Sequence, residues 1–186
     1  MQKRVLLILL MLPATAMAHP GHDVAGFSAG FMHPFSGIDH CLAMLAVGVW
    51  AAMRNRTGQQ GWGLGSFLAG MGLGGVLGMQ GLVPPMLESL VLGSALLAAL
   101  LVVLAVRLPL YAQALVVALF ALMHGMAHGL ELPAIGTAWT YASGFLVATA
   151  LLIFTGWACG RVVETQCRQR WLGAGLAAVA GSLFLA

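Results

Sequence analysis

Six apolar stretches, each about the twenty residues a helix needs to cross a bilayer, occupy 34–53, 61–80, 87–106, 110–130, 135–159 and 170–186. Lipid offers the backbone no hydrogen-bond partners, so such stretches must be helical or form a closed barrel, and their length selects the helix. The connections carry helix breakers: Arg54 to Gly58 after the first stretch, Pro84-Pro85 before the third, Pro109 before the fourth and Pro133 before the fifth. The predicted fold class is therefore all-α, a polytopic membrane bundle. Only 7% of residues are charged, against about 25% in soluble domains.

The first eighteen residues read as a cleavable leader. Lys3 and Arg4 form a basic start, Val5 to Leu12 an apolar core, and Ala16-Met17-Ala18 a small-x-small cleavage site. The expected organisation is a leader at 1–18 and a six-helix transmembrane domain at 19–186, with His19 as the new N-terminus. Lys3 is the one lysine, so the processed chain has no P-loop lysine and no ATP-driven pump of its own. The net charge of +3 lacks any basic run, which argues against nucleic acid. It follows membrane orientation instead. With the N-terminus outside, Arg54, Arg56, Arg107, Arg161, Arg168 and Arg170 all fall on cytoplasmic connections, and the outer connections carry no basic residue. Both termini are expected in the periplasm. Cys41, Cys159 and Cys167 form no recognisable disulfide framework.

Ionisable groups within membrane helices are expensive and point to function. In this orientation all six histidines and four of the five acids, Asp23, Asp39, Glu88 and Glu131, lie on the outer half. Imidazole and carboxylate are ligands for divalent transition metals. One cluster is His33-Pro34-Phe35-Ser36-Gly37-Ile38-Asp39-His40, followed by Met44 and Gly48. Pro34 is suited to open a helix. A helix continuing across it would align Gly26, Gly30, His33, Gly37, His40, Met44 and Gly48 on one stripe. Yet 23–53 is too long for one upright span, so a break is expected near Pro34 and Gly37. Asp39 could bind metal or orient a histidine.

The second cluster is His124-Gly125-Met126-Ala127-His128-Gly129-Leu130-Glu131. Positions 124, 128 and 131 share one helix face, and the pattern lacks the glutamate that marks zinc proteases. Both clusters are expected near the outer surface, at one depth. His19, with its free amine, and His22 could form a loading arm. Met44, Met123, Met126 and Cys41 are read as packing, and Glu88 as a favourable charge at a helix start. Small residues four apart, at Ser66, Gly70, Gly74 and Gly78 and at Gly173, Ala177 and Gly181, are read as helix-packing stripes. Gly26-Phe27-Ser28-Ala29-Gly30 matches a hydrolase nucleophile elbow, but no strand precedes it.

At these motifs the chain resembles the HupE/UreJ family of nickel permeases and hydrogenase/urease accessory proteins. The signature H-P-x-x-G-x-D-H-x-x-x-M-x-x-V-G is met by His33, Pro34, Gly37, Asp39, His40, Met44, Val47 and Gly48, and H-G-x-A-H-G-x-E-L-P by His124 to Pro133. The resemblance implies uptake of nickel, or cobalt, for hydrogenase or urease maturation, with His33, Asp39 and His40 foremost in transport. The metal set expected is His33, Asp39, His40, His124, His128 and Glu131, with His19 and His22 in the arm. The metal is substrate rather than resident cofactor, zinc being a further candidate, and no organic cofactor or enzyme activity is expected. Partners are then the divalent ion, membrane lipid and maturation proteins, and a homo-oligomer is compatible. An intramembrane zinc hydrolase, or a metal-binding subunit without transport, would draw on the same residues.

Overall fold

The computed structural model describes residues 26–53, 61–131, 135–163 and 165–185. Those residues form seven helices: α1 (Phe27–Ser36), α2 (Ile38–Ala52), α3 (Gly61–Met79), α4 (Leu87–Val103), α5 (Leu110–Leu130), α6 (Ile135–Val162) and α7 (Gln166–Leu185). The leader, His19, His22, Asp23, Arg54, Arg56 and Glu164 lie outside the described residues. Three helices, α3, α5 and α6 from Ala138 onward, are long and apolar enough to cross a membrane, and α1 with α2 adds a fourth if that bent pair counts as one span.

The expected break is present, but it falls at Gly37. There the backbone is extended (φ −102°, ψ 114°) and α1 meets α2 at 85°. Pro34 does not open α2; it sits inside the last turn of α1. The straight stripe from Gly26 to Gly48 therefore does not exist, and α2 starts at Ile38 rather than 34. Cys41 secures the corner, donating its thiol to the Pro34 carbonyl at 3.0 Å, an acceptor that the break leaves without a helical partner.

Helix α4 is shorter than expected. Val106 N–H reaches the Leu101 carbonyl and Ala105 N–H the Val102 carbonyl, both at 3.0 Å, the paired bonds of a Schellman end. The residue that must turn left-handed is Ala105 (φ 53°). Gly81 (φ 72°) performs the same turn after α3, with Leu82 N–H on Leu77 at 3.0 Å. A Cβ in that conformation costs about 1–2 kcal/mol. Ala105→Gly is thus expected to stabilise the protein by about 1 kcal/mol, read as a higher unfolding midpoint in detergent.

Helix α3 lies along α5, α1 and α2 along α6, and α4 along α7. The α3–α5 seam is made of glycines. Gly70, Gly74 and Gly78 each face the α5 backbone, and Gly125 and Gly129 face the α3 backbone in return. The stripe on α7 is used only in part: Gly173 abuts Val102, while nothing approaches Gly181. Met44, Trp50, Phe67, Met71, Val117, Tyr141 and Phe145 belong to one buried core, and Trp50 Nε1 donates to the Val106 carbonyl at 2.8 Å.

Candidate metal centre

The 85° corner turns two short helices into a single cradle. His33 arrives from the end of α1, Asp39 and His40 from the first turn of α2, His124 and His128 from the C-terminal part of α5, and Glu131 from just after it. Helix α6 closes one wall with Tyr141 and Phe145. Four imidazoles follow one another: His33 meets His128 at 4.8 Å between ring centroids, His128 meets His40 at 4.4 Å, and His40 meets His124 at 5.1 Å. Glu131 Oε2 stands 3.1 Å from His33 Nε2 and 3.6 Å from His128 Nδ1. Ligand atoms of His33, His128 and Glu131 all fall within 4.8 Å of one another.

Exposure is greatest at Glu131 and His33 and least at His124. The Glu131 side chain is 58% exposed, His33 30%, His40 15% and His128 7%, and His124 is wholly buried. A ligand entering at Glu131 would therefore pass from the exposed end of the cluster toward the buried His124. Glu131 lies just beyond the end of α5. The imidazoles of His128 and His33 hold its carboxyl below the usual carboxylate range, so it carries charge at neutral pH.

Two of the histidines have their tautomers set by acceptor-only partners. His124 Nδ1 lies 2.9 Å from the Phe120 carbonyl, and His40 Nδ1 lies 2.9 Å from an Asp39 carboxylate oxygen. Neither acceptor has a proton to give, so each neutral ring donates from Nδ1 and keeps the Nε2 lone pair. This carboxylate–histidine or carbonyl–histidine pairing is the usual support behind a metal-binding imidazole. Both free Nε2 atoms are buried without a partner, as are both ring nitrogens of His128. Unmatched buried polar atoms cost about 1–3 kcal/mol each. The cluster is thus poor as a purely structural core and well formed to receive a ligand.

The sequence clusters from 33–40 and 124–131 therefore meet in space, with Asp39 holding His40. Met44 is fully buried in the core, and Met126 packs with Leu87 and Val91. Glu88 stands in the first turn of α4, as a charge favourable to a helix start. It also lines a cleft of about 390 Å³ together with Met86, Leu87, Ser89, Ala127, Leu130 and Glu131, a juxtaposition across α4 and α5 that no spacing along the chain reveals.

An all-helical bundle, with several helices suited to crossing a membrane and a buried cluster of four histidines flanked by carboxylates, defines a polytopic membrane protein with an internal polar site. The chain belongs to the HupE / UreJ protein family, whose model matches residues 7–184. It is 44% identical over 148 residues to Protein HupE of Rhizobium leguminosarum bv. viciae, covering 79% of this chain and 76% of that protein. No solved structure matches it.

Proposed function

We propose that this chain takes up nickel, with cobalt as the close alternative, across the bacterial inner membrane for hydrogenase or urease maturation. The observation that carries the reading is the set of buried imidazole nitrogens, three histidines deep, that have lone pairs and no partners. Such a set suits a divalent transition ion. Family membership supports nickel as the ion. In this reading the chain loses residues 1–18 and spans the membrane six times, with both termini periplasmic. His19 and His22 gather the ion at the surface. Glu131 then draws it toward His33, and His40, His128 and His124 hold it, with Asp39 orienting His40.

Release inward requires a second arrangement, because binding must stay weak enough for the ion to leave. Imidazole sites bind copper more tightly than nickel, so selectivity rests on geometry and supply. The decisive measurement is uptake of radioactive nickel by cells expressing the protein, compared with empty-vector cells and with a His40→Ala variant. Accumulation above the control, lost in His40→Ala, is expected. Uptake equal to the control, with a purified protein that retains stoichiometric zinc, would sink the permease reading in favour of a resident-metal protein.

A further inference from the structure

Hydroxyl groups in these helices follow a common habit. Ser36, Ser94, Ser143, Thr155 and Ser182 each donate to a carbonyl one turn back, at 2.6–2.8 Å, and Ser66 does so toward Trp62. That bond is how a membrane helix ordinarily satisfies a serine or threonine. Thr149 departs from it. The residue is wholly buried, and its Oγ1 has no hydrogen-bond partner.

Its place in the bundle explains what the hydroxyl faces. Tyr141, Phe145 and Thr149 are spaced by four on α6 and so share a face. The Tyr141 ring lies 5.7 Å from the His33 ring, and the Phe145 ring lies 4.2 Å from that of His128. Helix α2 runs beside α6 in the same direction, with Gly156 against Leu45 and Gly160 against Val49. Gly48 also abuts Ile153. Counting back along both helices sets Thr149 opposite 38–44, the turns that carry Asp39 and His40. The other buried side-chain atoms without partners, among the described residues, are the nitrogens of His40, His124 and His128 and the Trp157 indole nitrogen. An indole N–H only donates and cannot hold a cation, whereas a hydroxyl oxygen has lone pairs to offer.

We propose that Thr149 supplies a neutral oxygen to the shell of the divalent cation on the inward side of the histidine cluster. This rests on the metal reading above and extends it by one ligand. A neutral donor adds attraction without a further fixed charge, which suits an ion that must afterwards leave.

The test uses the full chain purified in detergent, with Ni²⁺ and Co²⁺ as probes and two variants, Thr149→Val and Thr149→Ser. Valine keeps the shape and removes the oxygen. Ni²⁺ affinity is expected to fall about tenfold or more and the Co²⁺ ligand-field spectrum to change. The unfolding midpoint should hold or rise, because an unmatched hydroxyl is gone. Serine should restore both affinity and spectrum. Wild-type affinity and an unchanged Co²⁺ spectrum in Thr149→Val would overturn the Thr149 role alone. So would a loss of affinity in Thr149→Val that goes with a lowered midpoint and is not rescued by serine, since the defect would then lie in packing and not in the oxygen. If the wild-type protein binds neither ion, the metal reading falls and this ligand with it.

Discussion

His128→Ala is expected to lose Ni²⁺ binding by more than about a hundredfold, beyond what the loss of a supporting residue costs, while the protein still folds. The reason is position. His128 is the ring through which the outer and inner parts of the cluster meet, in contact with His33 at 4.8 Å and with His40 at 4.4 Å. It also stands 3.6 Å from the Glu131 carboxylate. Neither of its ring nitrogens has a hydrogen-bond partner within range, and Glu131 keeps its closer contact with His33 at 3.1 Å, so truncation removes ligand capacity and leaves no protein group without a partner. The cost in stability is confined to a modest void beside Phe145, offset by removing two unmatched polar atoms. Titration calorimetry on the purified variant, paired with its thermal midpoint, separates these effects. Binding as tight as wild type would remove His128 from the site. A collapse of the midpoint would make it a packing residue.

Much of this arrangement can be read from spacing. Histidines at 124 and 128 with Glu131 share a helix face by periodicity, and Pro34 and Gly37 announce a break before His40. What spacing cannot convey is angle. Whether the chain bends at Pro34 or at Gly37, and by how much, decides whether His33 and His40 point the same way, and the 85° turn depends on packing against α6. The end of α4 was similarly hidden. The Schellman turn there uses Ala105, where a glycine would have signalled the stop as Gly81 does after α3. Asp39 beside His40 is legible as a pair, but its choice of orienting the ring follows from the 2.9 Å contact. Thr149 gives no signal at all in the sequence, since one threonine in an apolar helix resembles any other. Its distinction is a bond that its neighbours make and it does not.

Gly125→Ala is expected to be strongly disruptive, one of several one-carbon changes among the described residues that would drive a methyl group into a neighbouring backbone. A methyl group there would land on the α3 backbone, 2.9 Å from the Gly75 nitrogen and 3.0 Å from the Gly74 Cα, and closer still to the Met71 carbonyl. Backbone atoms cannot rotate aside as a side chain can, so the helices must separate. The contact is reciprocal, because Gly74 and Gly78 press on the α5 backbone and Gly129 presses on α3. Separation at Gly125 therefore loosens the neighbouring contacts too, for a cost of about 3 kcal/mol or more, the upper range for overpacking. Gly72→Ala is the matched control. It lies on the same α3 helix with nothing within 4 Å of its added carbon, so it should be neutral or stabilising by up to about 1 kcal/mol through helix propensity. Unfolding midpoints in detergent should split the two variants widely, and equal midpoints would mean that the glycine seam is not what holds α3 to α5. The same comparison bears on function. Gly125 sits between His124 and His128, so the seam that brings α3 and α5 together also fixes the axial position of both imidazoles. Gly125→Ala should weaken Ni²⁺ binding together with stability, whereas His128→Ala should weaken binding alone. That contrast separates the scaffold of the site from its ligands.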